Sequence, residues 1–498
     1  MKIAGLDIGT TGCKCSVYDS EGTFIVEKYL EYETLICDSE HSINPQVVWA
    51  NVQLVLKEVA REVNDIEGIG VTSFGEASVL MDEMDNPLMD ALLFTDSNGQ
   101  VEHEEFQKRF GDEKIFDTTG LVSGKMYSVI KWKWIENNRP EVFKKCKYIH
   151  LFEDFIVYKL SGIRQIDYSL ASRTMALDVK NLKWSKEILE WTNVREEQLP
   201  KVVESGSIAG NMKSDMAREL GFTNQPLIIS GCHDQIAAAI GTGVIDEGLS
   251  VDGIGTIECI TSVFDQSKIT DKKALIEGGY AVVPYLDGKY VTYSFIYTGG
   301  ALLKWFRNNM ANLEAKEARA NGKNPFDEYN DLLNMDRPSP LIIVPHFAGS
   351  GTPIMDKDAT GMMFGLTLDT KKEDIYQALM EGTSYEMRIN LDILEKSGIR
   401  IEKIYATGGG ANSDKWLQIK SDVYNKEIYS LDSAQSGTLG CIMMVSVACG
   451  ICDNLHSARD KYIRVKQVFN PRKDMVDKYA INLDKYKKIY SIIENGGL

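Results

Sequence analysis

The stretch GLDIGTTGCKCSVYDSEG, residues 5–22, places a short loop of small residues between two apolar segments. We predict strands over residues 3–8 and 13–18, followed by a turn and a third strand over residues 24–32. Glycine in the loop at residues 9–12 lets the backbone approach a ligand closely, and successive N–H groups in such a turn can bind an anion. An ordinary β-hairpin turn is the alternative, and the loop by itself leaves both open.

A second copy of this pattern occurs about half a chain later. Residues 7–19 are DIGTTGCKCSVYD and residues 253–265 are GIGTIECITSVFD, with seven identities in thirteen positions. We therefore predict two homologous lobes that each begin with the same hairpin. The first copy has Asp7 where the second has Gly253, so one lobe would offer a carboxylate to a metal ion while both offer Gly–Thr donors to phosphate groups. Two such loops facing each other would clamp a polyphosphate.

Strands and helices alternate along the rest of the chain, which predicts an α/β fold. The clearest predicted elements are a strand at 226–230, a helix at 234–240, an amphipathic helix at 373–396 and a strand at 401–407. No low-complexity linker separates the lobes, so we expect a short hinge near residues 246–249. We predict one domain over residues 1–246 and a second over residues 247–498.

Composition narrows the functional classes. The 498 residues are 44% hydrophobic, which is enough for two full-sized cores. The net charge of −17 argues against a nucleic-acid-binding surface, because contacts to phosphate groups need clustered Lys and Arg. No apolar run approaches the roughly 18–20 residues that span a bilayer, and the N-terminus has no signal-peptide pattern. Nine cysteines, most of them in apolar runs, indicate free thiols in a reducing cytoplasm. We expect a cytoplasmic protein without nucleic-acid or membrane partners.

Two strand-to-helix junctions combine small and acidic residues. Asp234 follows the predicted strand at 226–230, where open α/β sheets bind their ligands, and its carboxylate would suit a base that accepts the proton of an attacking hydroxyl group. The alternative role for Asp234 is an N-cap of the next helix. The three glycines at 408–410 would let a phosphate or a flat ligand approach the backbone, with a tight strand-to-helix connection as the alternative.

Five motifs in this order resemble those of the FGGY family of carbohydrate kinases, within the actin-like ATPase superfamily. They are GLDIGTTGCKCSVYD, similar to the family's first phosphate loop; DGIGTIE, similar to its second; GCHDQ, to its catalytic segment; ATGGGANSDKWLQIKSDV, to its adenosine segment; and GMMFGLTLDTKKEDIYQALME, residues 361–381, to its C-terminal signature. The resemblance covers essentially the whole chain. It implies an α/β fold of two ribonuclease H-like lobes, with a nucleotide cleft between them and the sugar bound mainly by the N-terminal lobe.

The resemblance also implies ATP and Mg²⁺ as ligands of that cleft. Asp7 would hold the metal ion, directly or through water, and Asp234 would be the catalytic base for the sugar hydroxyl group. Phosphoryl transfer needs positioning and charge neutralisation more than covalent chemistry, which suits these residue types. The residues that would bind the phosphates or the adenosine are Gly9, Thr10, Thr11, Gly255, Thr256, Gly299, Gly300, Gly409, Gly410 and Asp414.

The segment GVTSFGEASVLMD, residues 70–82, lies where the family determines its sugar specificity. It lacks the Gln-Met-His-Gly pattern of xylulose kinases, and of the Gln-Arg-Glu pattern of glycerol kinases only Glu76 is present, with Gly75 in place of the arginine. The residues expected to contact the acceptor are Glu76 and Asp96, which would bind vicinal hydroxyl groups, Phe74 and Tyr127 as apolar walls, and Asp234. The alternative for Glu76 is a solvated strand residue. We expect a ketose, polyol or sugar acid, with a pentulose such as xylulose favoured.

Two functions from other classes stay open. The first is an ATPase with an actin-like fold that phosphorylates no sugar, and ATP turnover without dependence on sugar would favour it. The second is a sugar-binding sensor that has lost catalysis, which the presence of Asp7, both Gly–Thr loops and Asp234 argues against. We also expect the protein to form a homodimer.

Overall fold

The computed structural model describes residues 1–37, 40–432 and 436–494. Its residues divide into two compact units. Unit 1 comprises Met1–Ile245, Val282–Tyr290 and Gln435–Ile463, and unit 2 comprises Asp246–Ala281, Val291–Ala434 and Arg464–Leu498. The domains at 1–246 and 247–498 stay a prediction, because unit 1 takes in two segments from the second half of the chain.

The strands are numbered in chain order. They are β1 Lys2–Ile8, β2 Gly12–Asp19, β3 Phe24–Glu31, β4 Leu35–Cys37, β5 Glu40–Ile43, β6 Ile66–Ser73, β7 Val79–Met81, β8 Ala91–Leu92, β9 Tyr148–His150, β10 Gln165–Asp167, β11 Leu177–Asp178, β12 Lys183–Trp184, β13 Lys201–Val203, β14 Ile208–Asn211, β15 Leu227–His233, β16 Leu249–Ile254, β17 Glu258–Phe264, β18 Val283–Pro284, β19 Tyr290–Ile296, β20 Ile342–Val344, β21 Met362–Phe364, β22 Lys403–Thr407, β23 Glu427–Leu431 and β24 Val465–Phe469.

The α-helices are numbered in the same way. They are α1 Pro45–Glu62, α2 Gln100–Phe110, α3 Asp112–Thr119, α4 Ser128–Asn138, α5 Pro140–Lys145, α6 Phe152–Ser161, α7 Tyr168–Arg173, α8 Lys186–Thr192, α9 Ser214–Leu220, α10 Asp234–Gly241, α11 Lys272–Glu277, α12 Gly300–Asn309, α13 Asn312–Ala320, α14 Pro325–Leu332, α15 Lys372–Lys396, α16 Asp414–Tyr424, α17 Ser436–Ala448, α18 Leu455–Tyr462 and α19 Lys473–Glu494. Short 3₁₀ turns lie at Glu196–Gln198, Gln266–Lys268, Leu286–Gly288 and Gly409–Asn412.

Unit 1 is built around a sheet with the strand order β14-β15-β6-β1-β2-β3. The first three strands form an antiparallel meander, and β6 and β15 run parallel to β1. Parallel strands that are covered on both faces need apolar runs, and β1 and β15 are almost entirely buried. The register pairs Ile8 with Ser73, and Ser73 with His233. The carboxyl ends of β1, β6 and β15 therefore meet at one edge of the sheet.

Unit 2 contains six consecutive strands of a second, seven-stranded sheet, in the order β19-β17-β16-β22-β23-β24. β16 and β17 are antiparallel, β22 and β23 continue parallel to β16, and β24 returns antiparallel to β23. Taken from β24 to β19, these strands have the same order as β14 to β3 in the sheet of unit 1, and β24 to β17 have the same directions as β14 to β2. The two copies of the sequence repeat form equivalent hairpins, β1–β2 and β16–β17. The predicted α/β fold of two homologous halves is confirmed.

Glycines let helix α17 pack directly on the sheet of unit 1. A Cβ atom at Gly5 would lie 2.6 Å from the α17 backbone, and one at Gly70 would lie 2.7 Å from a methyl group of Val445. Gly440 of α17 approaches α10 as closely, because a Cβ atom there would lie 2.0 Å from the carbonyl oxygen of Ala237. These close approaches require glycine, since a side chain would push the helix away.

The predicted elements correspond to observed ones. The strands at 3–8, 13–18 and 24–32 are β1 to β3, those at 226–230 and 401–407 overlap β15 and β22, and the helices at 234–240 and 373–396 are α10 and α15. Ser413 caps α16 by accepting a hydrogen bond from the N–H of Trp416. α15 ends before Gly398, whose φ of +90° is readily adopted only by glycine.

Two properties of the described residues bear on the cellular setting. Within the described ranges, no helix combines the length and the apolar character needed to cross a membrane. The cysteines at 13, 15, 146, 232, 259, 441, 449 and 452 are free thiols. The cytoplasmic location and the absence of nucleic-acid partners stay predictions.

Candidate active site

Both hairpin loops are short and held by backbone hydrogen bonds. In unit 1, Gly9 donates its N–H to the carbonyl oxygen of Gly12 over 2.9 Å, and the hydroxyl of Tyr32 donates to the carbonyl oxygen of Gly9 over 2.5 Å. Thr10 is half-buried and Thr11 is exposed. The carbonyl groups at the base of the loop are therefore occupied, which leaves a compact turn of small residues at the carboxyl end of β1.

The equivalent loop of unit 2 is tied to the start of α12. Gly255 donates its N–H to Ile257 over 3.0 Å, and its carbonyl oxygen accepts the N–H of Gly300 over 2.7 Å. A Cβ atom at Gly299 would lie 3.0 Å from the carbonyl oxygen of Gly255 and 3.1 Å from Cβ of Glu258. Because Gly299 and Gly300 have no side chains, the backbone at the start of α12 contacts the backbone of the loop at Gly255 directly.

Asp7 is the acidic residue at the end of β1. Its side chain is half-buried, and its carboxylate accepts no hydrogen bond from the described residues. The pKa of Asp7 is raised to about 6, mainly by burial and also by the charges of Asp234 and Glu27, although Lys14 lowers it. A carboxylate without hydrogen bonds in such a setting is suited to a cation.

Asp234 lies at the junction of β15 and α10, as the first residue of the helix. Its Oδ1 lies 3.2 Å from Nε2 of His233 and has no hydrogen-bond partner among the described residues. Burial raises the pKa of Asp234 to about 6, although the N–H of Gln235 and the charge of Arg173 lower it. Burial lowers the pKa of His233 to about 3, so that imidazole is neutral at pH 7. The side chain of Asp234 is 38% exposed and thus accessible.

Glu76 follows the carboxyl end of β6, so it shares the sheet edge of Asp7 and Asp234. It has a left-handed φ of 63°, which is unusual for a residue with a side chain. Its carbonyl oxygen accepts a hydrogen bond from the hydroxyl of Ser128 over 2.6 Å. Its carboxylate forms a buried ion pair with Arg173, in which Nε donates over 2.6 Å. The ring of Tyr127 lies 5.2 Å from the guanidinium carbon of Arg173.

The other two predicted acceptor residues have partners inside the protein. The ring of Phe74 packs 4.9 Å from that of Phe152, within the apolar core of unit 1. The Asp96 carboxylate accepts hydrogen bonds from Nζ of Lys131 over 2.7 Å and from the N–H groups of His41 and Asn98, each over 3.0 Å. With this many donors, the carboxylate of Asp96 is held firmly within the loop that contains it.

Unit 2 contains a cavity of about 420 Å³ beside the second loop. Its polar side is formed by predicted nucleotide-binding residues, and its apolar side by side chains of α12, α14, α15 and α16. The lining includes Gly255, Thr256, Gly300, Gly409 and Gly410, and also Leu303, Phe326, Tyr376, Met380 and Trp416. Gly299 supports the loop from behind, and Asp414 is exposed at the start of α16 outside this lining.

The carboxyl ends of β16 and β22 explain why these glycines meet. The register pairs Gly253 with Thr407, so the loop after β16 adjoins the glycines that follow β22. A Cβ atom at Gly410 would lie 2.2 Å from Cγ2 of Ile254. The side chain of Trp416, which is buried, closes the same corner. The mostly apolar cavity, with glycine backbone along one side, suits a nucleotide.

A buried ion cluster below the second loop had not been expected. Nζ of Lys420, on α16, donates to Oε1 of Glu258 over 2.5 Å and lies 3.2 Å from Oδ2 of Asp252. All three side chains are fully buried. Burial lowers the pKa of Lys420, but the charges of Asp252 and Glu258 outweigh it and raise the pKa overall. The cluster links α16, through Lys420, to Glu258, which is the first residue of β17 and follows the loop.

The structure therefore brings together the predicted residues of each unit. In unit 1, Asp7, Glu76 and Asp234 lie at one sheet edge, while Asp96 and Phe74 face protein partners. In unit 2, the glycines and Thr256 line one cavity. Arg173, Lys131 and Lys420 were not identified from the sequence, because an isolated basic residue has no local pattern. Their partners lie 97, 35 and 162 residues away.

Comparisons with known proteins agree with this arrangement. Residues 2–241 match the N-terminal domain of the FGGY family of carbohydrate kinases, and residues 255–449 match its C-terminal domain. Xylulose kinase of Bacillus subtilis is 24% identical over 98% of this chain and 96% of its own length. Gluconokinase of the same organism is 27% identical over 99% of this chain and 96% of its own length.

A solved structure supports the fold independently. Gluconate kinase from Lactobacillus acidophilus is 23% identical and has a TM-score of 0.89, with 99% of this chain and 98% of that chain covered. The family matches occur in the order of the sequence repeat and together span most of the chain. The chain therefore belongs to the FGGY family of carbohydrate kinases and is an ATP-dependent sugar phosphotransferase.

Proposed function

We propose that the protein transfers the γ-phosphate of ATP to a hydroxyl group of a sugar or polyol, with a pentulose such as xylulose favoured. The observation that carries the proposal is the setting of Asp234. Its carboxylate is accessible at the carboxyl end of β15, has an unpartnered Oδ1, and adjoins the paired side chains of Glu76 and Arg173. A base and a hydroxyl-binding acid thus occupy one sheet edge.

Asp234 acts as the catalytic base in this proposal. The oxygen of the acceptor forms the new bond to phosphorus, the bond from phosphorus to the β,γ-bridging oxygen breaks, and ADP leaves with the electron pair. The carboxylate of Asp234 takes the proton of the hydroxyl group. A pKa near 6 leaves that carboxylate mostly ionised at neutral pH and makes it a better base than an ordinary aspartate.

Asp7 fits the requirements of Mg²⁺. The ion prefers carboxylate oxygens, and the carboxylate of Asp7 has no hydrogen bond from the described residues. We propose that Asp7 holds the ion directly or through water. When bound, Mg²⁺ supplies neutralisation of the phosphate charge.

The volume and lining of the cavity in unit 2 support the binding of ATP there. We propose that Gly255, Thr256 and Gly300 contact phosphate groups and that Gly409 and Gly410 lie along the adenosine. In unit 1, we propose that Thr10 and Thr11 donate to phosphate groups and that Gly9, whose N–H is bonded to the carbonyl oxygen of Gly12, lets a phosphate approach the turn closely. The Cβ positions at Gly299 and Gly410 support this, because neither turn has room for a side chain. The exposure of Asp414 supports a peripheral contact at most.

The acceptor is proposed to bind through Glu76, with the ring of Tyr127 beside it. Asp96 and Phe74 support that segment from within rather than contacting the acceptor, since both are occupied by protein neighbours. The named relatives act on different acceptors, so their names alone leave the sugar open.

The expected homodimer also stays a prediction, which light scattering on the purified protein would check.

The first test is the release of ADP from Mg-ATP across a panel of ketoses, polyols, aldoses and sugar acids. We expect one acceptor class to raise turnover at least tenfold in the wild-type protein. Asp234→Asn should lower that turnover by about 10²- to 10⁴-fold and leave the dissociation constant of ATP within about threefold. Release of ADP that is the same with and without sugars, in both proteins, would instead favour the ATPase alternative.

A further inference from the structure

We propose that the acceptor is a neutral ketose or polyol rather than an aldonic acid, and that the Glu76 carboxylate enforces this choice while Arg173 holds that carboxylate in position. The inference rests on the proposed function, because it names the chemical class of that reaction's acceptor. It assigns a positioning role to a residue that lies 97 positions from its partner.

The guanidinium of Arg173 is committed to the protein. Nε donates to Oε1 of Glu76 over 2.6 Å, and Nη2 donates to the same oxygen. The ring of Tyr127 lies 5.2 Å from the guanidinium carbon, close enough for a cation–π interaction. The side chains of Arg173 and Glu76 are 11% and 6% exposed. The Glu76 carboxylate offsets the positive charge of this guanidinium, so an incoming carboxylate gains less from it than from an arginine without an acidic partner.

Arg173 also takes the space that a side chain at residue 75 would need. A Cβ atom at Gly75 would lie 2.9 Å from Cγ and 3.0 Å from Cβ of Arg173. Residue 75 is not the arginine of the Gln-Arg-Glu pattern, but Arg173 at the end of α7 places a guanidinium beside Glu76. This arrangement differs from an arginine at residue 75, because Glu76 and Arg173 are paired with each other before any acceptor binds.

The pair presents one carboxylate oxygen to the acceptor. Oε1 of Glu76 is bound by Arg173, whereas Oε2 accepts no hydrogen bond from the described residues. The backbone of Glu76 is fixed by its left-handed conformation and by the hydroxyl of Ser128. An oxygen that can only accept hydrogen bonds selects a donor, and a sugar hydroxyl is a donor whereas a carboxylate is not.

The charges around the acceptor position also oppose an anion. Glu76 and Asp234 contribute two negative charges against the one positive charge of Arg173. His233 lies among them, with Cδ2 3.3 Å from the Cβ position of residue 75 and Nε2 3.2 Å from Oδ1 of Asp234. It adds no positive charge at neutral pH, since burial lowers its pKa to about 3. An aldonate would therefore meet a net negative surface, whereas a polyol would not.

The test compares acceptors that differ only in charge. With saturating Mg-ATP, kcat/KM is measured for xylitol and D-xylonate, ribitol and D-ribonate, and D-glucitol and D-gluconate, together with the matching ketoses. We expect the best neutral acceptor to exceed its matched acid by at least about 30-fold. A preference for the acid in any efficiently used pair would overturn the inference while leaving the kinase proposal intact.

Variants test the role assigned to Arg173. Glu76→Gln removes one carboxylate and unpairs the guanidinium, so the neutral-to-acid ratio of kcat/KM should fall at least about tenfold. Arg173→Met should lower kcat/KM for neutral acceptors without lowering that ratio. The control is Glu197→Gln, which breaks the exposed pair of Glu197 with Arg195 and should leave the ratio unchanged.

The outcomes separate the two proposals. An unchanged ratio in Glu76→Gln, in a variant whose circular dichroism matches the wild type, would overturn the role of the Glu76–Arg173 pair. A lack of stimulation by every neutral and acidic acceptor in the wild-type protein would overturn the proposed kinase function and this inference with it. Calorimetric binding of D-xylonate more tightly than xylitol would overturn the acceptor class even without turnover.

Discussion

Asp234 and Asp7 share an environment in which a carboxyl group holds its proton more tightly than in water. Burial raises the pKa of each to about 6, and the charge of Asp234 contributes to the shift of Asp7. The guanidinium of Arg173 acts in the opposite direction on Asp234, and His233 is neutral at pH 7.

This environment predicts the pH dependence of turnover. The base must be ionised, so kcat/KM for the acceptor should be low below pH 6, rise through about pH 6, and level off above it. Initial rates between pH 5 and pH 9 at saturating Mg-ATP, with enzyme stability checked at each pH, would measure the profile. A rate that stays constant down to pH 5 would mean that the essential carboxylate has an ordinary pKa near 4.

Single residues also show what sequence analysis can recover. Asp7 was recognisable from the repeated hairpin, Asp234 from its strand-to-helix junction, and Glu76 from the resemblance of its segment to the family's specificity segment. Asp96 was assigned to the acceptor on its residue type alone, and its three donors became visible only in the fold. The partners of Arg173 and Lys420 are brought close by tertiary structure, which no local pattern reports.

At the scale of elements, the Lys420 cluster joins α16 to the loop between β16 and β17. Lys420→Met would leave two fully buried carboxylates without their cation, so the free energy of unfolding should fall by about 3–5 kcal/mol. Glu258→Gln should cost less, because Lys420 keeps Asp252 as its partner. Urea denaturation followed by circular dichroism would measure both.

The matched control for this cluster is an exposed pair in the same unit. Lys273→Met breaks the contact of Lys273 with Glu277 on the surface of α11, and the free energy of unfolding should change by less than about 0.5 kcal/mol. If Lys420→Met were as mild as this control, the buried cluster would be dispensable for stability.

The turn between β22 and α16 gives a second prediction at this scale. Gly410→Ala would place a Cβ atom 2.2 Å from Ile254, so the turn must move away from the cavity wall. We expect the KM for ATP to rise at least about tenfold while the KM for the acceptor changes little. Gly253→Ala is the control, since its Cβ atom would meet its nearest neighbour at an ordinary 3.5 Å. Equal effects of the two substitutions would contradict the packing argument.

The hairpin repeat explains why elements were easier to predict than their assembly. Seven identities over thirteen residues were enough to predict two homologous halves, because strand–loop–strand patterns are local. Helix α17 gave no such indication of its position. Its sequence SGTLGCIMMVSVA is apolar on all sides, which predicts burial but does not tell which sheet covers it.

At the scale of the whole molecule, a segment near the C-terminus belongs to unit 1, although most residues of unit 2 precede it in the sequence. This segment carries α17, which packs on β1 and β6 and against α10. A fragment that ends at the predicted boundary lacks this helix. The stability of the N-terminal half therefore depends on residues near the C-terminus. A single domain boundary near residue 246 would assign those residues to the other domain.

The fragment of residues 1–246 should consequently fail to fold by itself. Without α17, the surface around Gly5 and Gly70 would be open to water, so we expect binding of a hydrophobic dye and no cooperative thermal transition. In the full chain, Gly440→Ala should lower the free energy of unfolding by about 1–3 kcal/mol, because its Cβ atom would overlap the backbone of Ala237.

Joining residues 435–463 to the fragment of residues 1–246 through a flexible linker should restore a cooperative transition. Cooperative unfolding of the fragment alone, at the temperature of the full chain, would contradict the dependence on α17 and favour the boundary at residue 246.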